Sequence, residues 1–235
     1  PLILEECEIF VLLCRRSGPP MYYSVFKRVM DILASLLLLI IFSPFMLGAA
    51  IAIKRHDGGS VFYKQERYTR NGKVFKMIKF RSMVPDAEVD GVARLASEGD
   101  SRITPVGAII RKTRIDELPQ LFNILWGDMS IVGPRPERPE IAAQYRQTLP
   151  EFDLRLQVKA GLTGYAQVHG KYNTDPYDKL QMDLLYIANQ SVVEDLKLIL
   201  YTLKILFMPE STEGVAAGQT TAMDYESAAD STDNS

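Results

Sequence analysis

The chain has 235 residues, a formal net charge of −2 and a near-neutral mean hydropathy. These values exclude a polytopic transporter, because the apolar residues are concentrated in one segment, and they fit one sizeable domain with appendages. The six acidic residues after Met208 contribute −6, so residues 1–208 carry +4. A mildly basic body suits anionic substrates and an anionic membrane surface.

Residues 1–20 consist of an apolar, strand-like stretch and a Ser-Gly-Pro-Pro break. They are predicted to be the end of an upstream domain or a linker, and the chain starts at Pro1 rather than at a methionine. Cys7 and Cys14 are too few for a metal knuckle or a disulfide framework, and are predicted to be reduced.

An uncharged run extends from Ile32 to Ile53, is broken only by Ser43-Pro44, and has Lys and Arg beyond both ends. As a helix it is about 33 Å long, enough to cross a hydrocarbon core of about 30 Å. Because cations favour the cytoplasmic side and proline kinks a helix, residues 21–56 are predicted to form a re-entrant hairpin that returns to the same face. A single straight spanning helix explains the run equally well.

Residues 57–208 are predicted to form the body of the protein. Two runs of β-formers flank Asn71-Gly72, which predicts a hairpin. Residues 85–105 are predicted to be a mobile loop. Helices are predicted at 104–114, 116–126, 137–149, 175–188 and 194–207, and 161–170 is predicted to be a glycine-punctuated loop and strand. Helix 194–207 is amphipathic, so it lies either in the membrane interface or on the core. Residues 209–235 are predicted to be an acidic, disordered tail.

The chemistry-bearing residues are concentrated between 76 and 138. No phosphate-binding loop, dinucleotide fingerprint, zinc spacing or serine triad is present in the sequence. Cations recur instead, and they suit either a diphosphate or anionic lipid headgroups; the candidates are Lys79, Arg81, Arg111, Arg114 and Arg135. The prolines of Gly133-Pro134-Arg135-Pro136 are predicted to fix a loop that presents Arg135.

Asp116 and Glu117 are the candidate catalytic pair. Neighbours on a helix point about 100° apart, so one carboxylate can face a reacting phosphorus while the other binds a metal or takes a proton. A carboxylate can also act as a nucleophile and form an acyl phosphate. An acidic pair at a helix start is equally typical of simple N-terminal charge stabilisation.

Five motifs occur in order over residues 22–208: the apolar segment with Ser43-Pro44, then KFRSM, RKTRIDELPQLFNIL, GDMSIVGPRP and GLTGYAQVHGK. This order resembles the bacterial sugar transferases, the monotopic polyprenyl-phosphate phosphoglycosyl transferases. The resemblance implies a mostly helical α/β fold, with a re-entrant membrane helix broken at Ser43-Pro44 and a small cytosolic catalytic domain with interfacial amphipathic helices. It also implies location at the cytoplasmic face of the bacterial inner membrane.

The resemblance implies transfer of a sugar-1-phosphate from a UDP-sugar to polyprenyl phosphate, with release of UMP. It implies Asp116 as the nucleophile and a Mg²⁺ requirement, with Glu117 and Asp116 as metal ligands or Glu117 as activator of the lipid phosphate. The implied substrate-binding residues are Lys79, Arg81, Arg111, Arg114, Pro134, Arg135 and Lys171. Lys171 stands where an arginine is expected, and Tyr165 where a tryptophan is expected. Exopolysaccharide or capsule initiation, with glucose or galactose as the sugar, follows from the same resemblance.

Two other functions remain open at this point. The chain could be a membrane-docked scaffold, or a nucleotide-sugar hydrolase that needs no lipid. No nucleic acid is expected as a partner, and homo-oligomerisation is left open. Tolerance of Asp116→Asn would identify the scaffold, and UMP release without lipid would identify the hydrolase.

Overall fold

The computed structural model describes residues 20–84, 87, 100–170 and 175–206. Helices and strands follow in the order α1 (Met21–Asp57), β1 (Phe62–Tyr68), β2 (Val74–Phe80), α2 (Pro105–Lys112), α3 (Gln120–Trp126), β3 (Met129–Val132), α4 (Pro139–Thr148), β4 (Ala160–Thr163), α5 (Tyr165–His169), α6 (Pro176–Ala188) and α7 (Val192–Leu206). Strands β1 and β2 pair antiparallel, and β3 and β4 pair parallel. The body is therefore mostly helical, with two small sheets.

Helix α1 is long and apolar enough to cross a membrane, and most of its apolar window is exposed. The helix pair predicted with a break at Ser43-Pro44 is instead one helix that includes Pro44. Pro44 lacks the N–H that would bond the Ile40 carbonyl. The Ser43 hydroxyl donates to this same carbonyl at 2.8 Å. The serine therefore satisfies the acceptor that the proline leaves free, and the helix continues.

The N-terminal third of α1 is fastened to the body by polar side chains. Arg28 donates to the carbonyls of Ile124 and Leu125 at 2.6 and 2.7 Å, at the end of α3. The buried Asp31 carboxylate accepts from the Ser130 hydroxyl at 3.1 Å and the Ile131 N–H at 2.9 Å. Carbonyls in the last turn of a helix lack their usual partners, so Arg28 adds to the cap of α3, in which the Gly127 N–H donates to the Ile124 carbonyl at 3.0 Å.

The predicted hairpin is confirmed. Its turn has Asn71 at φ 60° and Gly72 at φ 72°, left-handed values that Asn and Gly tolerate best. Strand β2 packs Phe75 and Met77 into a core with Leu121, Ile124 and Met129. Most of β1 is exposed, so the hairpin contributes β2 to the core.

The helix predicted over 116–126 is divided in the structure. A 3₁₀ turn covers Ile115–Glu117, and α3 begins at Gln120. Because Pro119 has no N–H to donate, the chain passes it with i→i+3 bonds, including Leu121 N–H to the Leu118 carbonyl at 3.0 Å. Asp116 and Glu117 thus lie on a tight turn and not on an α-helix.

The remaining helices agree with the sequence within a few residues. Helix α2 is capped by Thr104, whose hydroxyl accepts from the Gly107 N–H at 2.9 Å, and α6 is capped by Asp175. The region predicted as loop and strand contains β4 and the short helix α5. The strand-like residues 1–14, most of 85–105, Lys171 and the tail lie outside the described residues.

Helix α7 docks on the core and also leaves an apolar stripe exposed. Leu198 is 1% exposed and packs with Leu180, Leu184 and Tyr186 of α6. The predicted apolar face lies on another side, because Leu196, Leu200 and Leu203 are exposed.

Candidate active site

Asp116 and Glu117 are placed between α2 and α3 by an abrupt change in chain direction. Arg114 precedes them with φ 56°, a left-handed value that is uncommon for residues other than glycine. Helix α2 thus ends, and the 3₁₀ turn that carries Asp116 and Glu117 begins. Asp116 is buried and Glu117 is largely buried.

Two cations hold Glu117. Lys79 Nζ donates to its Oε1 at 2.8 Å, and Arg135 Nη2 donates to the same oxygen at 3.0 Å. Burial opposes ionisation of Glu117, but Lys79 and Arg135 outweigh it and hold the pKa of Glu117 well below its usual range. Glu117 is therefore an anion at neutral pH, oriented by residues from β2 and from the loop after β3.

Asp116 has the opposite electrostatic environment. Burial and the neighbouring charge of Glu117 raise the pKa of Asp116 to about 6, while Lys79, Arg111 and Arg114 counteract this. Among the described residues, no side chain or N–H forms a hydrogen bond to its carboxylate. The two adjacent carboxylates thus differ: Glu117 Oε1 accepts from two cations, whereas the Asp116 carboxylate accepts no hydrogen bond from the described residues and is mostly ionised at pH 7.

Lys79 is positioned by a residue that the sequence analysis did not select. Asn123, 1% exposed, accepts from the Ile78 N–H at 3.0 Å and donates to the Lys76 carbonyl at 2.9 Å. Strand β2 pairs with β1 on one edge, and Asn123 satisfies its other edge. These two hydrogen bonds fix the main chain of β2 at Lys76 and Ile78. Because Ile78 directly precedes Lys79, they also fix the position of Lys79. An asparagine on the apolar face of a predicted helix was the available signal.

The structure places some of the other predicted site residues near Asp116 and Glu117 and others elsewhere. Arg111 and Arg114 contribute positive charge near Asp116, and Pro134 and Arg135 belong to the loop that reaches Glu117. Arg81 is engaged elsewhere, with the Asp57 carboxylate and the Ser60 carbonyl at the end of α1. Lys171 lies outside the described residues.

Asp116 and Glu117 offer two carboxylates to a metal ion. In the described part of the chain, no group of three or more His, Cys, Asp or Glu residues is arranged to hold a metal. Mg²⁺ is commonly bound by one or two carboxylates together with substrate phosphates and water. Asp116 and Glu117 fit this arrangement, provided that the remaining ligands come from a diphosphate and water.

Comparison with known proteins agrees with the motif order. The family described as bacterial sugar transferase matches residues 22–209. Similar proteins include a UDP-N-acetylgalactosamine-undecaprenyl-phosphate N-acetylgalactosaminephosphotransferase from Aeromonas hydrophila (41% identical, 80% of this chain and 45% of that one) and a UDP-glucose:undecaprenyl-phosphate glucose-1-phosphate transferase from Klebsiella pneumoniae (45% identical, 76% and 39%). An exopolysaccharide production protein PSS from Rhizobium leguminosarum bv. phaseoli is 42% identical (76% and 93%).

The chain spans less than half the length of the first two of these relatives and nearly all of the third. The predicted resemblance is confirmed by a match over most of the chain and by the ordered motifs around Asp116 and Glu117. The chain belongs to the bacterial sugar transferase family.

Proposed function

We propose that this protein transfers a sugar-1-phosphate from a UDP-sugar to polyprenyl phosphate and releases UMP. The observation that carries the proposal is the unequal pair: a buried Asp116 carboxylate, which accepts no hydrogen bond from the part of the chain that the structure describes, lies beside Glu117, which two cations hold. The names of the relatives, which include undecaprenyl-phosphate transferases and an exopolysaccharide production protein, support the substrate class and a role in initiating a lipid-linked glycan.

In the first step, an Asp116 carboxylate oxygen attacks the β-phosphorus of the UDP-sugar. A phosphorus–oxygen bond to the aspartate forms, the bond to the bridging oxygen breaks, and UMP leaves with the electron pair. A carboxylate that approaches a diphosphate is repelled unless cations offset the charge. Lys79, Arg111, Arg114 and Arg135 supply this positive charge around the pair.

In the second step, a phosphate oxygen of polyprenyl phosphate attacks the same phosphorus. The bond to Asp116 breaks, the carboxylate is regenerated, and a polyprenyl diphosphosugar leaves. Asp116 and Glu117 would hold Mg²⁺, which when bound would neutralise charge at the diphosphate. Glu117 also orients Lys79 and Arg135 toward the place where the donor phosphates bind.

We propose that α1 is re-entrant, because the segments before and after Pro44 contact the same body. Leu38 and Leu39 pack against the core that contains Met77, and Ala49 and Ile53 pack in the cluster that contains Phe80. In a straight helix, Leu39 and Ile53 would be about 21 Å apart, whereas Met77 and Phe80 are separated by about 10 Å along β2.

The middle of α1 supports the same topology. Ile40, Ile41, Ser43, Pro44 and Phe45 are all exposed, so nearly every side of the helix faces away from the body there. A helix that is buried near both ends and exposed around its proline fits a segment that enters one leaflet and returns. The exposed apolar stripe of α7 fits contact with the same leaflet.

The topology is tested with single cysteines at Tyr22 and Ser60, both exposed and on opposite sides of the apolar run, in a chain with Cys7→Ser and Cys14→Ser. Both positions should react with a membrane-impermeant thiol reagent only in inverted vesicles. Labelling of one position in intact cells would establish a spanning helix instead.

The reaction is tested by UMP release from a set of UDP-sugars, with polyprenyl phosphate and Mg²⁺ each omitted in turn. Wild type should need both for turnover, and Asp116→Asn should release none. Full turnover without lipid would assign a hydrolase, and activity of Asp116→Asn equal to wild type would exclude this nucleophile. No release from any donor would favour the scaffold.

A further inference from the structure

The loop after β3 accepts a hydrogen bond at each of four consecutive carbonyls, those of residues 134–137. The Gly161 N–H donates to the Pro134 carbonyl at 2.9 Å, and the Tyr68 N–H donates to the Glu137 carbonyl at 3.0 Å. Between them, Arg155 Nη2 donates to the Arg135 carbonyl at 2.8 Å, and Arg67 Nη1 donates to the Pro136 carbonyl at 3.0 Å. The two central contacts are thus made by arginine side chains.

Carbonyl contacts are the main way to fix this loop. Pro134 and Pro136 have no N–H, so the segment 134–136 offers a single amide donor. External donors to its carbonyls must therefore set its position. The loop carries Arg135, whose guanidinium reaches Glu117 at 3.0 Å. A displacement of the loop is transmitted to this contact.

Arg155 is built into the core behind the loop and is remote from solvent. It is 6% exposed, and its Nη2 lies 2.7 Å from Oδ2 of Asp183, which is 1% exposed. Neither Asp183 oxygen has a hydrogen bond of good geometry in the described structure, so this contact is a close ion pair. An ion pair this deeply buried is weak evidence for stability, because desolvation offsets its attraction. Its hydrogen bond to the Arg135 carbonyl gives Arg155 a role in placing the loop.

Arg67, on β1, is the second arginine that contacts the loop, and its side chain is 16% exposed. It also contacts the Glu137 carboxylate at 3.4 Å and the Gln65 amide oxygen at 3.1 Å. Burial lowers the pKa of Arg67 to about 10, against the effect of Glu137, so it stays charged at neutral pH. Two guanidinium groups, a buried one at Arg155 and a half-buried one at Arg67, thus donate to adjacent carbonyls of one loop.

We propose that Arg155 and Arg67 are positioning residues, which act on the reaction only through the main chain at Arg135 and Pro136. Arg155 is too buried to be a donor to the UDP-sugar, and the guanidinium of Arg67 is engaged by the Pro136 carbonyl, Glu137 and Gln65. Their contribution is to hold Arg135 where its guanidinium meets Glu117 and the donor phosphates. This inference rests on the proposed function, and it assigns to these arginines a role that differs from that of the cations around Asp116.

A double-mutant cycle separates positioning from simple stability. Arg155→Lys keeps the charge beside Asp183 but loses the planar fork and the reach to the Arg135 carbonyl. Since a displacement of about 1 Å can cost about 100-fold, we expect kcat/KM to fall about ten-fold or more. In an Arg135→Ala background the same change should have an effect within about two-fold, because the group that it positions is gone.

Arg67→Lys should behave in the same way, and it keeps the test decisive if Arg155→Lys does not fold. Arg146→Lys is the matched control: Arg146 forms an exposed ion pair with Asp153 at 2.9 Å on the neighbouring surface, and its replacement should leave kcat/KM unchanged in both backgrounds. Independently of activity, hydrogen exchange at the Gly161 and Tyr68 amides, which donate to the Pro134 and Glu137 carbonyls of the loop, should accelerate in Arg155→Lys and Arg67→Lys but not in Arg146→Lys.

Multiplicative losses, with Arg155→Lys as harmful in the Arg135→Ala background as in wild type, would overturn the positioning role while the transferase stands. Unchanged amide exchange in both lysine variants would overturn it as well. If wild type transfers no sugar phosphate, the proposed function fails, and the exchange measurement alone decides whether these arginines hold the loop.

Discussion

Asn123 gives the sharpest stability prediction, because its amide satisfies two main-chain groups of β2 at once. Asn123→Ala leaves the buried Ile78 N–H without its acceptor and the Lys76 carbonyl without its donor. An unsatisfied buried polar group costs about 1–3 kcal/mol. Because Lys76 is exposed, its carbonyl recovers part of this from water, so the expected loss is about 2–4 kcal/mol.

The assay is thermal unfolding in detergent or nanodiscs. A loss of this size should lower Tm by about 4–16 °C for a body of this length. Asn189→Ala is the control, because Asn189 forms an exposed amide contact with the Leu185 carbonyl, and its loss should stay within about 0.5 kcal/mol. A Tm for Asn123→Ala equal to that of the control would refute the reasoning that this amide anchors β2.

Three further predictions follow. Gly161→Ala would place a Cβ 2.1 Å from the Gly133 nitrogen, so the loop must shift and transfer should fall by about 100-fold, whereas Gly48→Ala, which meets nothing within 4 Å, should be silent in the same assay. Burial raises the pKa of Asp183 from 3.8 to about 6 against the pull of Arg155, so the folded state binds more protons between these values and the unfolding free energy falls as pH rises through them. Asp183→Asn should flatten this dependence in Tm measured from pH 4 to 7, and an unchanged slope would contradict it. Glu117→Gln should lower transfer without lowering Tm by more than a few degrees, and full activity would show that the Lys79 and Arg135 contacts are dispensable.

The sequence identified the parts of the site that depend on local chemistry. Asn71-Gly72 predicted the hairpin, because few other pairs tolerate two left-handed residues. The apolar run predicted a membrane-length apolar segment, but the break expected at Ser43-Pro44 is absent, because one helix continues through Pro44. The motif order selected Asp116 and Glu117 and the cations that surround them.

The parts that depend on long-range packing could not be read from the sequence. Strand β3 pairs with β4 across 27 intervening residues, and nothing local specifies this parallel register. The division of the helix at Pro119 depends on which carbonyls the neighbouring turns can satisfy. No local sequence feature distinguishes Arg67 and Arg155 from surface cations, because their partners are main-chain carbonyls of a loop that is distant in sequence.

The covalent role of Asp116 is the central claim, and a single-turnover measurement without acceptor tests it most directly. Enzyme is mixed with Mg²⁺ and a UDP-sugar labelled in the sugar, and released UMP and protein-bound label are followed together. The account predicts a burst of about one UMP per active site, with equal label on a peptide that contains Asp116, discharged by polyprenyl phosphate and absent in Asp116→Asn. Lipid-dependent turnover with neither burst nor labelled protein would contradict it.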